Sequence, residues 1–403
     1  KVFGPQQAVD PYRSDPGNGL APDGAKMPSG PPTITSVATS PDSARRWIEA
    51  IRAVDAKNGG ARSVDMYILD NEPALWNSTH RDVHPTPVTY DELLEKTIAY
   101  GSVVRAADPD ALIAGPAEWG WPAFFYSAKD SAEGQDFKPD RTAHGDVPLL
   151  PWYLKKLAEH EQKTGTRILD VVDVHFYPSP QNLGLGEDGG IDAATAALRI
   201  RSTRALWDPS YVDEGWIKET VRLLPRLRAW INENYPGRGI SIGEWSYGAE
   251  NHMSAGLAAA ETLGRFVQAG LTSAFYWTYP PKNSPVFWAF RAYRNFDGKG
   301  GRFLDLALPT VAPADTSLYA SIDASGTHVV LVALNLLPDV TLKPKFILSG
   351  CGAVTEQKVY EFTGAPTGFA PRNATIVDGT IAVEGLPSYS ITVFDLTLAP
   401  KQP

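Results

Sequence analysis

Two Glu residues close apolar runs in positions suited to chemistry. The first run is Tyr67-Ile-Leu-Asp70-Asn71-Glu72-Pro73, where Pro73 removes the next ladder donor. The second is Ile240-Ser-Ile-Gly-Glu244-Trp245. A carboxylate at the C-terminal end of a barrel strand stands where barrel active sites lie. Two of them, about 5–5.5 Å apart, are what retaining glycoside hydrolysis needs. Either Glu alone reads equally well as an ordinary surface residue. The pair, with aromatic residues at neighbouring strand ends, favours chemistry. Glu72 is then the candidate acid/base, and Asn71 is placed to bond a sugar 2-hydroxyl. Glu244 is the candidate nucleophile and must stay ionised. Tyr177, at the preceding strand end, is placed to donate to it. Trp277 is a candidate sugar platform. Trp119, Trp121 and His175 complete the expected substrate-binding set. The chain's 11 Trp and 16 Tyr exceed what a core usually requires, and their flat faces with polar edges suit sugar rings.

The elements that must position these residues alternate. Ser40-Pro41 opens a helix with Trp47, Ile48, Ile51 and Val54 as its expected apolar stripe. Strands are expected at 64–69, 111–115, 168–176, 240–243 and 271–276. Between them come helices after the capping pattern Thr89-Tyr-Asp-Glu92, around 217–234, and over 254–269 with Gly270 as its stop. Alternation of this kind means parallel α/β architecture. The strand ends are Glu72, Glu118, Tyr177, Glu244 and Trp277. A closed (β/α)8 TIM-type barrel needs eight strands. Numbering the last as strand eight makes Glu72 end strand four and Glu244 end strand seven, and puts the first three strands outside this chain. Near residue 302 the texture changes to short strands with turns, including the hairpin signal Asp323-Ala-Ser-Gly326-Thr. The expected division is therefore a barrel over 1–301 and an all-β sandwich over 302–403.

Bulk properties exclude several classes. A net charge of −9 over 403 residues argues against nucleic acid and anionic membrane surfaces. No apolar stretch reaches membrane-spanning length. Cys351 stands alone, so an intrachain disulfide and a Cys-based metal site are both ruled out. His80 and His84 stand four apart, but the loop context before Pro85 argues against a helical metal pair. A start at Lys1 is expected of a processed or truncated product.

Several long motifs carry a resemblance. They are Asp70-Asn-Glu-Pro-Ala-Leu-Trp-Asn-Ser-Thr-His-Arg-Asp-Val-His-Pro85, Gly115-Pro-Ala-Glu-Trp-Gly-Trp121, Arg204-Ala-Leu-Trp-Asp-Pro209 with Tyr211-Val-Asp-Glu214, and Gly248-Ala-Glu-Asn-His252. Together they resemble glycoside hydrolase family 44 along essentially the whole chain. The resemblance implies a retaining endo-β-1,4-glucanase acting on β-glucan polysaccharides such as xyloglucan and carboxymethylcellulose; the protein is expected to be secreted and monomeric. It implies a barrel plus sandwich, with Glu72 as acid/base and Glu244 as nucleophile. Two departures stand out. About a hundred residues that usually precede Val2-Phe-Gly-Pro are missing, and Gly-Glu-Trp245 replaces the more usual Thr-Glu-Tyr. No cofactor is needed for the chemistry. Asp10, Asp15 and Asn18 are candidate oxygen ligands for a structural calcium ion, which the family resemblance favours. Two alternatives remain open: a non-catalytic glucan-binding protein, and a xylanase or mannanase on the same barrel. The sandwich, lacking an exposed Trp row, is expected to stabilise and not to bind sugar.

Overall fold

The computed structural model describes residues 4–10, 17–183, 189–373, 375–377, 380–382 and 385–400. Two compact units are present: residues 1–175 with 230–239, and residues 176–229 with 240–403.

The first unit carries α1 (Pro41–Lys57), β1 (Met66–Ile68), α2 (Trp76–Thr79), α3 (Tyr90–Ala107) and β2 (Leu112–Glu118). It continues through α4 (Ala128–Glu133), α5 (Pro139–Ala143), α6 (Leu149–Thr164) and β3 (Val171–Phe176), whose last residue begins the second unit. β2 pairs in parallel with both β1 and β3. Every residue of β3 is buried, as a parallel strand covered on both faces should be. Thr89 caps α3 as expected, its hydroxyl accepting the Glu92 N–H. The apolar stripe of α1 is only partly buried. Ile48 packs with Val104 of α3 and Ile113 of β2, whereas Trp47 is 71% and Val54 55% exposed. Trp47 instead lines a cavity of about 570 Å³ with Tyr67, Ile68, Trp76 and Tyr100. This cavity borders the edge of β1 that carries no strand among the described residues.

The second unit holds α7 (Ala193–Ser202), most of α8 (Leu223–Asn234), β4 (Gly239–Trp245) from Ile240 onward, α9 (Met253–Ala269), β5 (Ser273–Tyr276) and α10 (Pro285–Tyr293). β4 and β5 pair in parallel. The helices α6, α7 and α10 fall where the sequence pattern predicts none. Pro151 and Pro285 mask two of them, yet each sits in a first turn, where a missing N–H costs nothing. Ala-rich α7 carries little apolar signal.

From Leu306 the described elements are all strands: β6 (Leu306–Leu308), β7 (Thr316–Ile322), β8 (His328–Asn335), β9 (Lys345–Phe346), β10 (Val354–Phe362), β11 (Ala370–Arg372), β12 (Thr375–Val377), β13 (Thr380–Ala382) and β14 (Ser390–Leu398). One antiparallel sheet runs β11-β10-β14-β8-β7-β6 and a smaller one β12-β13-β9. Leu331, Phe346, Val359, Ile381 and Phe394 belong to the core these sheets share. The β7–β8 hairpin turns where expected, with Asp323 Oδ1 accepting the Thr327 and His328 N–H groups at 3.0 Å each. α9 lies close against β7. A Cβ on Gly264 would come within 2.3 Å of the Tyr319 ring, so only glycine fits there.

Candidate active site

Glu72 follows β1 at a sharp reversal. Asp70 and Glu72 both have left-handed backbones, with φ of 62° and 47°. Such conformations are strained for residues with a Cβ and gather at functional positions. The strain is held by neighbours: the Glu72 N–H donates to the Ala117 carbonyl at 2.9 Å, and its carbonyl accepts the Leu75 N–H at 2.8 Å. The Glu72 side chain meets the buried His175 ring, with Oε1 2.9 Å from Nδ1. Asn71 stays exposed, and its carbonyl accepts the Trp76 indole N–H at 3.0 Å. His84 bonds Glu92 at 2.7 Å and lies edge-on to Trp76, so it serves this loop.

Glu118, at the end of β2, is a residue that the sequence marks only as a strand end. Its side chain is buried, and burial pushes its pKa up to about 8. The negative charge of Glu72 adds to the rise, while the Ala74 and Trp119 N–H groups oppose it. Glu118 is therefore mostly protonated at neutral pH. It lies beside the turn that presents Glu72, and its Oε2 has no protein partner. Trp119 is half-buried; Trp121 packs edge-on against Phe125, with centroids 4.7 Å apart.

The second unit supplies its own carboxylate. Tyr177 Oη donates to Glu244 Oε2 at 2.8 Å, the contact its strand-end position predicts. Trp245, the next residue, is fully buried and anchors β4. Its ring meets Phe266 at 5.4 Å, Tyr276 at 4.9 Å and Phe290 at 5.8 Å. Its indole N–H has no protein partner, so the Gly-Glu-Trp departure supplies packing and adds no hydrogen bond. Trp277 is 47% exposed at the end of β5, and its peptide bond to Thr278 is cis.

Loops behind this carboxylate are tied down by groups the sequence did not single out. Arg199 of α7 is fully buried and donates to the Tyr247 carbonyl, Ser254 Oγ and the Gly189 carbonyl, each at 2.9 Å. Glu250 Oε1 accepts the Tyr276 hydroxyl at 2.6 Å, joining the loop after β4 to the end of β5. Burial, then the Arg199 charge, holds the His252 pKa below its usual range. The Arg204–Glu214 motif is also structural: Arg204 pairs with Asp208 at 2.8 Å, and Arg201 pairs with Glu214 at 2.9 Å.

Of the candidate calcium ligands, Asp15 lies outside the described residues. The Asn18 amide oxygen accepts the Ala8 N–H at 3.4 Å and the Leu20 N–H at 3.2 Å, and its NH2 donates to Gln7. Asp10 stands at the edge of the same loop.

Comparison with known proteins bears on these residues. The family model "Glycoside hydrolase family 44" matches residues 1–180. Cel44A, a family 44 endoglucanase from Clostridium thermocellum, superposes with a TM-score of 0.79 at 30% identity, over 87% of this chain and 70% of that one. The chain belongs to glycoside hydrolase family 44. CelM2, a bifunctional glucanase-xylanase from a metagenome library, is nearer to this family 44 chain, with a TM-score of 0.90 at 34% identity over 99% of this chain and 77% of that one. Endoglucanase A of Paenibacillus lautus is 35% identical over 311 residues, or 74% of this chain. The chain spans 43% of that relative's length. Membership gives the fold class: a (β/α)8 TIM-type barrel, represented among the described residues by the five parallel strands β1–β5, with an all-β sandwich.

Proposed function

We propose that this chain is a retaining endo-β-1,4-glucanase that cleaves internal links of β-glucans by double displacement, with Glu244 as nucleophile and Glu72 as acid/base. The observation that carries the proposal is the pairing of two strand-end carboxylates with hydrogen-bonding partners two residues apart. His175 bonds Glu72, and Tyr177 bonds Glu244. In this reading Glu244 attacks the anomeric carbon while Glu72 protonates the departing glycosidic oxygen. Water, deprotonated by Glu72, then releases the glycosyl-enzyme. The reaction requires the two carboxyls about 5–5.5 Å apart. Asn71 bonds the sugar 2-hydroxyl, and exposed Trp277 offers a ring face to a sugar.

Residues 1–301 form the catalytic part in this proposal, and 302–403 the supporting sandwich. The enzyme is taken to be secreted and monomeric. A calcium ion bound by Asp10, Asp15 and Asn18 belongs to the same proposal. It predicts that chelation lowers the melting temperature and that added calcium restores it; an unchanged melt removes the ion.

A xylan-cleaving variant of the reading has one observation in its favour, the glucanase-xylanase activity named for CelM2. The test is reducing-sugar release from xyloglucan, carboxymethylcellulose and xylan, beside a Glu244→Gln variant. Release from the glucans by the parent alone supports the proposal. Release from xylan alone moves the specificity, and binding without release leaves a glucan-binding protein.

A further inference from the structure

The strand that carries Glu244 is irregular at that residue. β4 and β5 pair through Ser241–Ser273 and Ile242–Ala274, and then through Trp245–Tyr276. Gly243 and Glu244 of β4 therefore stand together against Phe275 alone of β5. This is a β-bulge, an irregularity that re-aims side chains beside active sites. Side chains alternate along a strand, so one residue more or less turns all that follow to the other face. Whatever holds the register beyond the bulge therefore holds the aim of Glu244.

Contacts just past the bulge hold it. The Trp277 N–H donates to the Trp245 carbonyl at 3.0 Å. The Trp245 and Tyr276 rings meet edge-on, with centroids 4.9 Å apart. The Tyr276 hydroxyl donates to Glu250 Oε1 at 2.6 Å and accepts from Ser246 Oγ at 3.4 Å. That hydroxyl reaches from β5 to the loop after β4. The loop is itself fixed: the His252 N–H donates to the Ala249 carbonyl at 2.8 Å, and Arg199 holds the Tyr247 carbonyl at 2.9 Å. Burial, then the bond to Glu250, raises the Tyr276 hydroxyl above its ordinary range, so it stays a donor. Apolar packing has no direction, whereas a hydrogen bond is set in distance and angle. Ring contacts keep Trp245 in the core; the hydroxyl sets where the end of β5 stands against the end of β4.

We propose that Tyr276 and Glu250 are positioning residues for the nucleophile: their hydrogen bond latches the bulged register of β4 against β5 and so aims Glu244. The role requires no contact of either residue with substrate. Its kinetic consequence rests on the proposed glucanase reading, and the latch itself does not.

The test is labelling by a 2-deoxy-2-fluoro cellobioside with a good leaving group, which a retaining enzyme captures as a stable ester on its nucleophile. The extent of labelling counts folded sites, and its rate reports attack by Glu244. Tyr276→Phe keeps the ring and loses the donor; Glu250→Ala loses the acceptor and serves alone if the first does not fold. Either is expected to slow labelling at least about tenfold at full extent, with kcat lowered and KM changed less than about twofold. Glu250→Gln still offers an acceptor and should bring the rate back to within about threefold of the parent. A lower melting temperature with an unchanged rate per labelled site would mean a purely structural role and overturn the proposal, as would Glu250→Gln as slow as Glu250→Ala. Hydrogen exchange at the Trp277 amide, bonded across the strands just past the bulge, reads the latch without catalysis. It should quicken in Tyr276→Phe and Glu250→Ala and stay slow in Glu250→Gln; equal exchange in all four proteins would overturn the latch. A parent that takes no label at Glu244 would refute the glucanase reading, and exchange would then decide the latch alone.

Discussion

The two strand-end carboxylates differ in how they are held. Glu72 sits on a strained left-handed turn beyond a three-residue strand, with the buried acid Glu118 close by. Glu244 lies inside the seven-residue β4, and the neighbouring Trp245 locks the strand into an aromatic core. The first is positioned by backbone hydrogen bonds and polar groups, the second by packing. The difference fits the unequal tasks proposed for the two residues. A nucleophile must be delivered in line with one carbon, which a rigid strand does well. An acid/base exchanges protons with both a leaving oxygen and a water, and a polar, hydrogen-bonded turn suits that.

The comparison breaks most visibly at Glu244. Glu244→Gln removes the oxygen proposed to form the covalent bond and is expected to lower turnover at least about 10⁴-fold while polysaccharide affinity survives. Normal turnover in that variant would end the nucleophile assignment. Glu72→Gln should cost about 10²–10⁴-fold on polysaccharides. On aryl glycosides with good leaving groups, glycosylation should be nearly unaffected, because such groups depart without a proton. Equal losses on both substrates would remove the acid role. Tyr177→Phe deletes one donor to Glu244 and should lower kcat about 10²-fold with little change in KM. A rise in KM alone would make Tyr177 a substrate contact instead.

The sequence exposed one of these environments better than the other. Tyr177 could be paired with Glu244 because consecutive strand ends were readable from apolar runs closed by aromatic residues and proline. Glu118 was visible only as a strand end. Its burial depends on the turn after Glu72 folding back over it, a contact between residues far apart in sequence. Arg199 was missed for a related reason: an arginine on an Ala-rich stretch looks like a solvated residue, and only the loop after β4 wraps it. The parallel strands and the β7–β8 hairpin were legible because their signals are local. The helices α6 and α10 were not, because proline in a first turn resembles proline in a loop. The exposure of Trp47 was illegible too, since a stripe of apolar residues does not say which of them meets another element.

The last expected effect concerns Glu118 and is read in stability, not rate. Its pKa is raised to about 8 in the folded chain and is near 4.3 when unfolded. Between those values the folded state binds more protons than the unfolded one. The stability contributed by protonated Glu118 is therefore fully present below about pH 4.3 and is lost as pH rises through about 8. Glu118→Gln keeps an uncharged side chain of the same shape and cannot titrate. Its amide oxygen can still accept from the Ala74 or Trp119 N–H. The stability of the variant relative to the parent should rise from about pH 5 and level off above about pH 8, by at most about 5 kcal/mol in all. Urea midpoints of both proteins across that range measure it. Parallel curves would mean that Glu118 ionises normally. Glu72 would then stand beside a charged carboxylate and not a neutral acid, and its support would differ from the packed Glu244 strand by a charge as well as by backbone strain.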